Sequence, residues 1–162
     1  MQARKTDFQI ALLADRPELV PTLTDWFIAE WEPYYGPDGP GDAGADLRGC
    51  LNRTALPIAV VALNGDGALL GTAALKQDSV GSERGVGPWL AAFLVAPNHR
   101  GRGVGTALVA AIEDMAARLG FGSIYTSTDA AAGILERRGW QVFGTTESLR
   151  GPLTIYRFST GN

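Results

Sequence analysis

The apolar residues of this chain change their spacing several times, and each change marks an element. Residues 8–13 (Phe-Gln-Ile-Ala-Leu-Leu) form a short apolar run that predicts a first strand. Leu19, Val20, Leu23, Trp26, Phe27 and Trp31 then fall on one helical face. Asp15 and Glu18 have the spacing of a capping box there, and Pro17 suits a first turn. From 33 to 44 the chain turns to Pro, Gly and Asp, which predicts a loop, and 46–51 reads as a short second helix. The runs 57–63 and 68–75 flank Asn64-Gly65-Asp66-Gly67, residues that tolerate positive φ, so a hairpin is predicted. A polar stretch, 77–87, leads to a buried strand at 89–95 (Trp-Leu-Ala-Ala-Phe-Leu-Val). Val104, Ala107, Leu108, Ala111, Ile112, Met115 and Leu119 recur at steps of three and four and predict a long helix closed by Gly120. A strand at 123–127 follows, then a helix capped by Asp129 and stopped at Gly139, then strands at 140–144 and 153–158.

The resulting order, β-α-α-β-β-β-α-β-α-β-β, mixes hairpins with one strand–helix–strand crossover. It predicts a mixed α/β sheet with helices on both faces. At 162 residues the chain is read as a single domain, 1–162, with its core over about 7–158. Apolar content of 46% and charged content of 19% suit a globular protein. A net charge of −3 speaks against a nucleic-acid partner, which needs a basic face. Cys50 is the only cysteine, so no internal disulfide forms and a cytoplasmic location is expected. With one Cys and one His, no zinc site is expected. No apolar run approaches the roughly 20 residues that span a bilayer, so no membrane partner is expected. The start, with Arg4 and Lys5 but also Asp7, is not read as a signal peptide.

The chemistry concentrates where the strand at 89–95 gives way to the long helix. Pro97 ends the strand, and Arg100-Gly101-Arg102-Gly103-Val104-Gly105-Thr106 follows. Three glycines in five residues let a ligand approach the main chain, because no Cβ intervenes. The first amides of a helix lack partners within it and lie at the positive end of its dipole. Such a turn binds phosphate, and two arginines add charge where the anion would lie. A P-loop is excluded because no Gly-Lys-Ser/Thr ending follows. A dinucleotide fold is excluded because the turn lies past mid-chain, behind a hairpin.

The stretch from Val95 to Leu108 resembles the acetyl-CoA-binding motif of the GNAT superfamily of N-acetyltransferases. Its signature is Arg or Gln, two residues, Gly, one residue, then Gly or Ala, matched by Arg100, Gly103 and Gly105. The element order extends the resemblance over nearly the whole chain, and Glu136-Arg137-Arg138-Gly139-Trp140 looks like the family's second cofactor junction. The resemblance implies a seven-stranded, mostly antiparallel sheet whose central parallel pair splays apart. It implies acetyl-CoA as co-substrate, with the pyrophosphate on the amides of Gly101, Arg102, Gly103, Val104, Gly105 and Thr106. It implies that the pantetheine arm pairs with backbone at Phe93, Leu94 and Val95, that the Leu94 N–H polarises the thioester carbonyl, and that Asp129 either bonds the arm or caps its helix.

The implied reaction is direct attack of a primary amine, on a small molecule or a peptide, within a ternary complex. Where many members carry a tyrosine as acid, this chain has Leu135, and 89–95 offers no carboxylate. The proton carriers are therefore sought elsewhere. Tyr125 is the nearest replacement acid and Glu30, through water, the leading base. Glu32, Tyr34, Tyr35 and Glu147 rank above Asp78 and Glu83 on connectivity. His99 is expected to be exposed and silent beside the phosphate turn. Trp31, Tyr34 and Tyr35 suit a cationic or partly apolar acceptor. The alternative is an acyl-CoA-binding regulatory module with little transfer, and a homodimer is a further implication of the family.

Overall fold

The structure, a computed structural model, describes residues 8–161. Arg4, Lys5, Asp7 and the expected edge of the core at residue 7 lie outside the described residues. The strands are β1 (Phe8–Leu12), β2 (Ile58–Asn64), β3 (Leu69–Lys76), β4 (Trp89–Val95), β5 (Ser123–Thr128), β6 (Gln141–Ser148) and β7 (Gly151–Ser159). The helices are α1 (Val20–Glu30), α2 (Glu32–Tyr35), α3 (Ala43–Arg48), α4 (Val104–Arg118) and α5 (Ala132–Arg137). One sheet runs β1-β2-β3-β4-β5-β7-β6, and every neighbouring pair is antiparallel except β4 with β5. The expected architecture, including the central parallel pair, is the one observed.

Strand β2 shows why helices cover both faces. It is apolar from Ile58 to Leu63, and its alternate side chains enter two different cores. Val60 and Ala62 pack with Leu108, Ile112 and Ala116 of α4, on the face that α5 also covers through Leu135. Val61 and Leu63 pack with Leu23 and Phe27 of α1 and Leu47 of α3. No helix among the described residues is long and apolar enough to cross a membrane.

Several local expectations are corrected. No capping box forms at Asp15. The chain makes two 3₁₀ turns there, Asp15 pairs with Arg53, and Glu18 is bonded by Arg16. The stretch 33–44 is not wholly a loop: Glu32–Tyr35 makes one helical turn, and α3 starts at Ala43 because the Asp42 carboxylate accepts the Ala45 N–H at 3.0 Å. Asp129 does not cap α5. The Thr128 hydroxyl accepts the Ala130 and Ala131 amides at 3.0 Å and makes that turn instead.

Candidate active site

The central strands meet at one end only. Trp89 and Tyr125 are the sole registered pair of β4 and β5, tied by the Tyr125 N–H on Pro88 O at 3.0 Å and the Thr126 hydroxyl on Leu90 O at 2.8 Å. Beyond that point no pairing is formed, so the two strands bound a wedge that opens toward Val95 and Thr128. The cause lies on the other side of β4. Ala74 pairs with Ala91 and Thr72 with Leu94, so Ala73 alone faces both Ala92 and Phe93. That extra residue is a β-bulge, and Ala92 takes a φ of 54°, a conformation rare outside glycine.

The bulge decides which amides face the wedge. In an antiparallel ladder, alternate residues turn their N–H and C=O to the same neighbour. The Ala96 N–H donates to Leu70 O at 2.8 Å, which places Leu94, two residues earlier, in the bonded pair with Thr72. The Leu94 N–H therefore faces β3, and the expectation that it serves a ligand is corrected. Phe93 and Val95 turn their polar groups the other way. The Val95 carbonyl is consistent with this, since it accepts from Arg100 Nε at 3.1 Å rather than from β3.

The glycine turn lies at the mouth of this wedge. Gly101 and Gly103 have φ of 80° and 87°, and a Cβ on either would meet no atom within 4 Å. Both therefore answer a backbone demand beside open space, as a cradle for a ligand requires. Gly105 differs: a Cβ there would stand 2.9 Å from Ile134 Cδ1 and 3.2 Å from the Phe93 ring, so its role is close packing of α4. Gly103 caps α4 without a side-chain bond, leaving the Val104, Gly105 and Thr106 amides unpaired within the helix, while Ala107 N–H bonds Gly103 O at 3.0 Å. Arg102 is exposed at the turn, and His99 is half-buried rather than exposed, lining a cavity with Phe8, Asn64, Asp66 and Arg102.

At the same end of the sheet, α1 and the β6–β7 hairpin converge. The Leu94 side chain packs in the cluster of Leu23 and Phe27, which sets α1 over the outer half of β4. Arg150, at the hairpin tip, brings Nη1 to 3.8 Å from Glu30 Oε2 and Nη2 to 3.8 Å from Asp129 Oδ2. Trp31, Tyr34 and Tyr35 form one aromatic group with Phe27, at centroid distances from 4.8 to 6.5 Å. Tyr34 is 44% exposed. Tyr35 is fixed, its hydroxyl donating to Asp46 Oδ2 at 2.6 Å, and burial followed by that carboxylate pushes its phenol far above the ordinary value.

The remaining proton-carrier expectations separate by position. Tyr125 lies at the closed end of the wedge, buried between the rings of Trp89 at 5.7 Å and Phe143 at 5.1 Å. Leu135 is 1% exposed in the main core. Glu83 accepts from the Thr146 hydroxyl at 2.6 Å, which lowers its pKa, and so belongs to the loop that clamps β6. Glu147 is exposed on β6 opposite Pro152, and Glu32 borders a groove with Pro33, Pro37 and Asp38.

Sequence reasoning missed Arg150 and Glu113. Glu113 is buried on α4 and accepts from Arg138 Nε and Nη2 at 2.8–3.1 Å and from Trp140 Nε1 at 2.9 Å. It locks the Gly139–Trp140 junction onto α4, and its signal was present: position 113 follows Val109 by four on the apolar face.

Residues 20–140 match the Acetyltransferase (GNAT) family. No curated protein matches the sequence. Among solved structures, an aminoglycoside 6'-N-acetyltransferase complexed with coenzyme A superposes with a TM-score of 0.74 at 18% identity, over 95% of this chain and 98% of that one. The aminoglycoside 6'-N-acetyltransferase from Enterococcus faecium gives 0.73 at 20% identity, over 95% and 98%. A GCN5-related N-acetyltransferase from Kribbella flavida gives 0.68 at 24%, over 94% and 98%. With the splayed β4–β5 pair, the glycine turn and this match over most of its length, the chain belongs to the GNAT acetyltransferase family.

Proposed function

We propose that the chain acts as one catalytic domain that transfers the acetyl group of acetyl-CoA, the family's co-substrate, to a primary amine by direct attack in a ternary complex. The observation that carries this reading is the Ala92 bulge, which turns the Phe93 and Val95 polar groups into a wedge that β5 leaves unpaired. Phe93 and Val95 hold the pantetheine arm in place of the missing strand. The Phe93 N–H takes the role expected of Leu94 and steadies the negative charge that develops on the thioester oxygen. The diphosphate rests on the amides from Gly101 to Thr106, with Arg100 and Arg102 beside it. Losing one oxyanion donor costs about 100- to 1,000-fold in rate.

Glu30 serves as base, taking the ammonium proton through a water so that the neutral amine attacks the acetyl carbon. The C–S bond breaks as the C–N bond forms, and the thiolate of coenzyme A is neutralised through solvent by the proton that the acylated nitrogen releases. Trp31 and Tyr34 flank the acceptor, whereas Tyr35, committed to Asp46, shapes the wall. Tyr125 at the closed end and Leu135 in the core are given no proton to move. A second reading, a CoA-binding regulatory module with little transfer, draws on Leu135, which fills the place of the family's acid. A cytoplasmic location and a homodimer are extensions of the family reading that the site itself does not require.

The test incubates the protein with acetyl-CoA and a panel of amines while titrating free thiol. Amine-stimulated thiol release supports transfer; coenzyme A binding without it supports the module. Replacing the Phe93 amide by an ester, which removes its N–H, is expected to lower kcat by that 100- to 1,000-fold factor. The same exchange at Leu94 should cost stability instead, because it removes a β3–β4 ladder bond.

A further inference from the structure

Arg150 stands where three elements end: Glu30 closes α1, Asp129 follows β5, and Arg150 tips the β6–β7 hairpin. Its guanidinium lies 3.8 Å from each carboxylate through different nitrogens, and neither carboxylate has another ion pair or hydrogen bond among the described residues. All three side chains are more than a third exposed. Ion pairs of that length and exposure are weak and exchange readily with solution cations. The backbone of the tip is held independently, by Arg150 N–H on the Ser148 hydroxyl at 3.1 Å and by that hydroxyl on Gly151 O at 2.8 Å. The side chain can therefore swing away without undoing the hairpin.

From this arrangement we propose that Arg150 is a specificity-determining residue, a tethered cation that an acceptor's second ammonium group displaces from between Glu30 and Asp129. The inference rests on the amine-transfer reading above and adds to it the acceptor's chemistry: a compound with at least one cationic centre beyond the amine that reacts. A monoamine has nothing to offer the two carboxylates once its own nitrogen is deprotonated, so Arg150 stays in place. A polycation exchanges for it, charge for charge: its second ammonium takes the guanidinium's place on Asp129, and the departing side chain leaves the Glu30 carboxylate free for the reacting amine when the proton moves.

The experiment compares wild type with Arg150→Ala and Arg150→Lys on putrescine, n-butylamine and 4-aminobutyrate. Thiol release gives kcat and KM, and calorimetry on the CoA-loaded protein gives binding that needs no turnover. Removing the competing cation is expected to lower the Kd and KM for putrescine about tenfold in Arg150→Ala, an effect that fades at high salt. Arg150→Lys should keep most of the wild-type value, and n-butylamine should shift less than twofold. Equal shifts for both amines, or none, overturn the proposal. So does a preference for 4-aminobutyrate that Arg150→Ala abolishes, because Arg150 would then bind an acceptor carboxylate. A parallel loss of coenzyme A affinity overturns it too, by showing that Arg150 holds the wedge together. Tighter putrescine binding in Arg150→Ala without turnover in either protein leaves the exchange standing and removes the transferase reading. Putrescine binding to neither protein overturns the exchange.

Discussion

The two ends of the β4–β5 pair are built from the same two strands and behave as opposites. At the closed end, Trp89 is fully buried, donates its indole N–H to Val86 O at 3.0 Å, and packs on Tyr125 and Ile155. The loop before it is bolted down from both sides: the Ser127 hydroxyl donates to Val80 O at 2.7 Å, and Arg84 reaches Thr145 O at 2.5 Å. At the open end one extra residue in β4 has rotated the backbone polar groups away from their partners, and the chain leaves through glycines at positive φ. The Val95 carbonyl there accepts from Arg100 Nε of the glycine turn at 3.1 Å rather than from a strand. Rigidity at one end keeps the unpaired amides at the other in fixed directions, which is what a site made of main chain needs.

The sharpest way to break that division is at its hinge. Trp89→Ala removes the largest fully buried side chain and orphans nothing but the Val86 carbonyl. A loss of about 3–5 kcal/mol in unfolding free energy is expected, as for other buried aromatics. Urea denaturation measures it, and a loss below about 1 kcal/mol would mean that the closed end does not anchor the pair.

Leu135→Tyr asks whether the family's missing acid can be restored. Leu135 is packed against α4 with almost no exposure, so a larger ring overfills the core at a cost of about 1–3 kcal/mol. No gain in kcat should accompany it. A rate increase would place position 135 at the wedge mouth rather than in the core.

Gly103→Val tests the open end directly. A β-branched residue at a φ of 87° costs about 1–2 kcal/mol in backbone strain, although its Cβ meets no atom within 4 Å. Coenzyme A affinity measured by calorimetry should fall by about tenfold or more, since the Cβ fills the cradle and the turn reshapes. Gly105→Ala is the contrasting variant: its Cβ only pushes the Ile134 Cδ1 methyl at 2.9 Å and the Phe93 ring at 3.2 Å, so coenzyme A affinity should fall far less than in Gly103→Val. Unaltered affinity in Gly103→Val would remove the turn from the binding account.

These variants also mark how far the sequence could be read. The strand at 89–95, the helix from Val104 and the hairpin around Gly65 were legible because each carries a long periodic signal or turn chemistry. The bulge was not. Ala91 and Ala92 look alike in sequence, and which of them leaves the ladder is settled by the register with β3. Leu94 was misjudged for that reason, since one inserted residue reverses the direction of every later amide. The Asp129 cap failed to local competition, because Thr128 reaches the same amides one residue earlier. Arg150 gave no sign at all: its partners are far away in sequence, and only the tertiary fold brings them together.

The smallest effect concerns a residue that sequence alone assigned to the acceptor site. Tyr35 ties α2 to α3 through Asp46, so Tyr35→Phe should cost about 1 kcal/mol at neutral pH, read from urea unfolding. Its pH dependence carries the distinguishing information. Burial and the Asp46 carboxylate hold the native phenol well above its ordinary value, so the folded chain keeps a proton that the unfolded chain releases. Below about pH 10 the stabilisation is complete; as pH rises past that value the unfolded state ionises first, and the stabilisation is lost. The gap between wild type and Tyr35→Phe should therefore be constant up to about pH 10 and narrow beyond it. A gap that instead changed between pH 6 and 8 would mean that the hydroxyl titrates in the working range of the enzyme. Tyr35 would then have to be restored as a proton carrier, and the open end would hold a side-chain acid after all.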